Sequence, residues 1–169
     1  FLGALADITF RKKYLLVFFM LIGAGSTASF FFIYEGYWMI AVIAYILASI
    51  GFSGGNIFYD SLIIDVSNDQ SRNQVSAFGY AMGYLGGGIL FVVNVLMYLQ
   101  PNIFGFASEI DAVLFSFLSV AIWWSIFTLP LIKFVKERKG EITSLSLTST
   151  VKNSFFRVIN TFKEIRQYK

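Results

Sequence analysis

Four long apolar stretches dominate this chain, at about 14–33, 37–62, 76–99 and 112–134. None carries Lys or Arg in its central part. A helix of about 20 apolar residues crosses the roughly 30 Å hydrocarbon core of a bilayer, and each stretch reaches that length. Membrane barrel strands alternate apolar and polar residues over about 10 positions. The run from Tyr14 to Ile22 does not alternate. Helices satisfy their own backbone hydrogen bonds in lipid, so the pattern predicts an all-α membrane protein with four transmembrane helices.

Composition narrows the function classes. Apolar residues make up 57% and charged residues 14% of the 169 positions. Soluble domains carry about 25% charged residues, and disordered chains have low hydrophobicity, so neither class fits. Cys and His are both absent. Disulfides, zinc–thiolate sites and a Ser-His-Asp triad are therefore excluded within this sequence. With few ionisable groups deep in the spans, an enzyme is not expected, nor is a cofactor or a metal site. The first residues, Phe1 to Asp7, lack the basic and apolar regions of a signal peptide. The chain reads as an internal piece of a longer protein.

The charges are distributed by side. All 13 Lys and Arg residues fall before the first span, between the second and third, or at and after the end of the fourth. The positive-inside rule makes that side cytoplasmic, with both ends of the sequence there. Tyr34, Tyr37, Trp38 and Tyr98 fall near the opposite interface, where amphipathic rings are favoured. The basic excess is thus a topology signal, and nucleic acid is not an expected partner.

Residues 1–135 form the predicted membrane segment, and 136–169 a cytoplasmic linker. Within that linker Val151, Phe155, Val158, Ile159, Phe162 and Ile165 recur at helical spacing, flanked by Lys152, Arg157, Lys163 and Arg166. This pattern predicts an amphipathic helix on the membrane surface.

Polar residues inside a membrane helix are costly, so their positions are informative. Tyr45, Ser49, Ser53, Asn56 and Asp60 of the second span fall within about 80° of arc. Ser76, Tyr80, Gly83, Gly87 and Asn94 share a face of the third. Such stripes face a protein interior or a solute path, or they join helices. Asn56, Tyr59 and Asn94 are the candidates for a solute path. Asp60, near the cytoplasmic interface, reads as a gating charge. Gly79, Gly83 and Gly87 are spaced for close helix packing. Gly51, Gly54 and Gly55 are expected to loosen the second helix near its centre.

The segment with Gly3, Leu5, Ala6, Asp7, Arg11 and Lys12 resembles the signature loop of the major facilitator superfamily, with Ile8 and Phe10 departing from the usual Arg and Gly. Gly79, Gly83, Gly87 and Gly88 resemble a glycine motif of exporters in that superfamily, with Tyr84 in place of Pro. The segments 56–62 and 76–88 are similar to the vacuole-effluxer-like branch, which includes autophagy-related amino-acid exporters and bacterial relatives.

The resemblance implies that the four spans are the third to sixth helices of a six-helix half. Asp7 and Arg11 would then belong with Asp60 to a cytoplasmic gate, and residues 136–169 would link two halves. It also implies a secondary active transporter in the cell (inner) membrane, moving a small solute by alternating access, with amino acids among the candidates. Its partners would be that solute, the lipid bilayer and the remaining helices of the same parent chain. The alternative is a complete four-helix membrane scaffold or partner subunit.

Overall fold

The structure, a computed structural model, describes residues 12–137 together with Phe156. Asp7, Arg11 and the tail expected to hold an amphipathic helix lie outside the described residues, apart from the helical Phe156.

The described chain is all helical. α1 spans Lys12–Ser29 and continues through a 3-10 turn at Phe30–Phe32. α2 spans Trp38–Ser61, and Leu62 joins it to the short α3 at Ile63–Val66. α4 spans Arg72–Leu99, a 3-10 turn follows at Pro101–Phe104, and α5 spans Glu109–Phe134. The apolar helical lengths are 21, 29, 28 and 26 residues. At 1.5 Å per residue each reaches about 30 Å or more, enough to cross a bilayer.

Local chemistry sets the helix ends. The α1–α2 turn contains Gly36 at φ 89°, and Gly105 at φ 82° ends the turn before α5. Both lie in the left-handed region that favours glycine. Ser108 caps α5 by accepting the Asp111 backbone N–H at 3.2 Å. Glu109 and Asp111 place negative charge at the favourable end of the helix dipole. α4 begins at Arg72 and α5 at Glu109, earlier than the apolar pattern alone indicates, because each has a polar first turn.

The helices pack in the spatial order α2, α1, α5, α4. α1 lies between α2 and α5, and α4 rests chiefly on α5. Consecutive long helices alternate in direction. The start of α1, the end of α2, the start of α4 and the end of α5 therefore share one end of the bundle, the basic end.

Glycines permit the closest approach. A Cβ on Gly51 of α2 would overlap the Gly23 backbone of α1 and lie 2.8 Å from the Phe19 carbonyl oxygen. A Cβ on Gly54 would overlap the Phe19 ring. These residues hold α2 against α1, and α2 runs unbroken through them, contrary to the expected loosening. Lost side chains become van der Waals contact between backbones, which drives helix association where lipid supplies no hydrophobic force. Near the basic end Leu16, Phe58 and Leu62 form one buried cluster. Farther along, Met20, Ala24 and Ala121 form a second.

Candidate functional site

The polar stripe of α2 faces away from its glycine contact. Tyr45, Ser49, Ser53, Asn56, Tyr59 and Asp60 are all exposed, while Gly51, Gly54, Gly55 and Phe58 are buried. One helix thus presents a packing face of small residues and an unpacked face of hydroxyl, amide and carboxylate groups.

Two cavities meet at the basic half of this helix. A cavity of about 170 Å³ between α1, α2 and α5 is lined by Asn56 and Tyr59, with Leu16, Met20, Trp124 and Thr128. A second, of about 250 Å³, lies where α2 and α3 approach α4 and α5. Its polar edge consists of Tyr59, Asp60, Ser76 and Tyr80, and Leu62 and Leu131 contribute apolar wall. Tyr59 and Leu131 border both cavities.

α2 and α4 share little direct packing, yet they touch here. The Tyr80 hydroxyl donates to Asp60 Oδ1 at 3.4 Å. One residue earlier on each helix, the Tyr59 hydroxyl lies 3.2 Å from where a Cβ on Gly79 would sit. Gly79 leaves room for the tyrosine, and the adjacent pair supplies a polar contact.

Below this contact the basic end is tied by charge. Lys12 Nζ lies 3.0 Å from Asp65 Oδ2 and also donates to the Ser61 carbonyl oxygen at 3.0 Å. The Lys12 and Asp65 side chains are only 11% and 3% exposed, so water screens the pair little. Lys13 reaches the other neighbour of α1, donating to the carbonyl oxygens of Ile132 and Val135 at the end of α5.

With this arrangement in hand, comparison with known proteins is specific. The sequence matches the family described as vacuole effluxer Atg22 like over residues 1–66 and 64–169. The chain belongs to the vacuole effluxer Atg22-like family. It is also 37% identical over 172 aligned residues to the "Uncharacterized MFS-type transporter YxiO" of Bacillus subtilis (strain 168). That alignment covers 99% of this chain and 39% of the relative, so the chain spans about two fifths of its length. No solved structure gives a significant match.

This Atg22-like chain is therefore an integral, multi-pass membrane protein of the major facilitator type. Proteins of the major facilitator type are not enzymes, and the family match places this chain among them.

The structure places the residues singled out in the sequence unequally. Asn56 and Tyr59 share a cavity wall, and Asp60 adjoins them. Asn94 stands apart, near the far end of α4, where its Oδ1 accepts the Ser119 hydroxyl of α5 at 2.9 Å. It lies 22 residues beyond Arg72, about 33 Å along the helix from the basic end. Among the small residues expected to pack, Gly79 meets Tyr59, whereas Gly83 and Gly87 face open space among the described residues.

The Lys12–Asp65 pair was not legible as a site in this Atg22-like sequence. Lys12 stood in a basic triplet and Asp65 in a polar loop, 53 positions apart. The available signal was the aspartate immediately following an apolar span on the same side as the lysines.

Proposed function

We propose that this chain is the third-to-sixth-helix portion of a secondary active transporter that moves a small solute by alternating access. Amino acids are among the candidate solutes. The observation that carries this reading is the outward polar face of α2. Six exposed polar or titratable residues stand on the side of α2 turned from its glycine contact, and only Tyr59 and Asp60, at its basic end, meet α4. A charged residue at the centre of a spanning helix costs about 2.5–3.5 kcal/mol on insertion scales, so polar groups along a span are turned to protein or water. In a protein about two and a half times as long, that face borders the solute path, and further helices complete its walls.

On this reading Asn56 and Tyr59 contact the solute. Asp60, with Tyr80 opposite, belongs to the cytoplasmic gate, as do Asp7 and Arg11 of the preceding loop. Sidedness follows the basic residues. The Lys12 end faces the cytoplasm of a cell (inner) membrane, and residues 136–169 form the link to the second half. The Ser119 bond favours a helix-joining role for Asn94.

Cysteine accessibility tests the proposal in the full native protein. Single cysteines at Ser49, Ser53 and Asn56 should react with a small water-soluble maleimide and be protected by solute. Cysteines at Ile43 and Leu47, exposed apolar positions of α2 well off the stripe, serve as comparison positions. Absence of labelling at all three stripe positions in a folded, membrane-inserted protein would overturn the solute-path assignment. Transport by the 169-residue chain alone in liposomes would overturn the requirement for the missing helices.

A further inference from the structure

Lys12 and Lys13 open α1, and its first turn contains no acidic residue. A cation at a helix N-terminus opposes the macrodipole, so this placement does not stabilise α1 itself. Both side chains instead serve the ends of other helices.

Lys13 makes the broader set of contacts. Its Nζ donates to the Ile132 carbonyl oxygen at 3.1 Å and the Val135 carbonyl oxygen at 2.8 Å. Its backbone N–H donates to the Glu137 carboxylate. The first N–H groups and last carbonyls of a helix have no intrahelical partner. One residue thus satisfies groups at the ends of two antiparallel helices. The last-turn cation of α5 itself, Lys133, lies over the Phe134 ring at 5.6 Å from its centroid. The capping cation comes from α1.

Lys13 directly follows Lys12, the last position that matches the signature pattern. Next to it, Lys12 ties the same turn of α1 to Asp65 and Ser61. We infer that Lys13 is a positioning residue that fastens the segment leaving α5, residues 135–137, to the base of α1 beside the Lys12–Asp65 pair. This inference rests on the proposed reading that α5 leads into the link between two transporter halves. A displacement of that link then acts through Lys13 on the turn of α1 that carries Lys12.

The test uses the full native chain with a single cysteine replacing Val135, which is half-buried against the Leu16 cluster. Any other cysteines are replaced by serine. Lys13→Met should raise the rate of maleimide modification at position 135 by roughly tenfold, the scale of a lost charge-assisted hydrogen bond. Lys13→Arg should restore the native rate. Solute turnover per folded, membrane-inserted protein should fall several-fold in Lys13→Met with KM unchanged; the rate is normalised to the folded fraction because loss of folded protein also lowers the maximal rate at constant KM. Where Lys13→Met fails to accumulate, Lys13→Gln retains a polar group at the membrane edge and serves in its place. An unchanged modification rate in the folded variant overturns the inference. A native protein that moves no solute overturns the functional reading instead, while the modification rate still decides whether Lys13 holds the exit of α5.

Discussion

Gly51 of α2 lies so close to the Gly23 backbone of α1 that a side chain at Gly51 has no room, while the Trp124 ring of α5 takes the space a side chain at Gly23 would need. The contact sits at the middle of both helices, where it sets their separation. Its neighbours on α1 and α5, Phe19 and Trp124, pack into the space that Gly54 and Gly23 leave open.

Gly51→Ala should therefore destabilise the bundle by about 1–3 kcal/mol, the usual cost of overpacking. The nearest atoms are backbone, which cannot rotate aside. Gly83→Ala, which meets open space among the described residues, should change stability by less than about 0.5 kcal/mol. Unfolding in mixed detergent micelles measures both. Equal effects would mean that Gly83 packs as tightly as Gly51 in the full protein.

Breaking the Lys12–Asp65 pair on one side should be worse than removing it altogether. Asp65→Leu leaves a buried ammonium without its carboxylate and should cost about 3–5 kcal/mol. The double variant Lys12→Met/Asp65→Leu should recover part of that loss. A double-mutant cycle on folded protein reads the coupling directly. Additive single effects would contradict it.

Tyr80→Phe deletes the hydroxyl that donates to Asp60 and leaves the ring. The bond is 3.4 Å long at exposed residues, so its loss should alter stability by less than about 1 kcal/mol. As part of the proposed gate, the same change should lower solute turnover several-fold with little change in KM. Native turnover in the variant would remove this contact from the gate.

Asn94→Ala and Ser119→Ala should behave alike. Each removes one interhelical hydrogen bond worth about 0.6–2 kcal/mol, and the double variant should lose no more than either alone. Asn56→Ala, by contrast, should weaken apparent solute affinity several-fold at near-native stability. An affinity loss in Asn94→Ala that Ser119→Ala does not share would put Asn94 on the solute path as well.

The four spans were legible because insertion into lipid is decided locally. A stretch of about 20 apolar residues is either long enough to cross or it is not, and nothing distant alters that. The stripe from Tyr45 to Asp60 was legible for a related reason, since helical periodicity alone puts those residues on one face. The signature segment from Gly3 to Lys12 pointed to the superfamily and the segments 56–62 and 76–88 to the branch, and the family match agrees.

Partner choice was not legible. Gly79, Gly83 and Gly87 have the spacing for close packing, but Gly23 and Gly51 make the tightest contact described. Which glycine packs depends on which helix lies opposite and at what rotation, and no local pattern encodes either. Asn94 and Asn56 looked equivalent as buried amides, yet they occupy opposite halves of the bundle, and one is engaged by Ser119. Sequence alone determined the number of spans, their polar faces and the family resemblance, all set by short-range hydropathy and motif. Tertiary structure alone decided that Lys12 meets Asp65 and Lys13 caps α5, because pairing residues 53 and more than 100 positions apart requires the helices to be packed first.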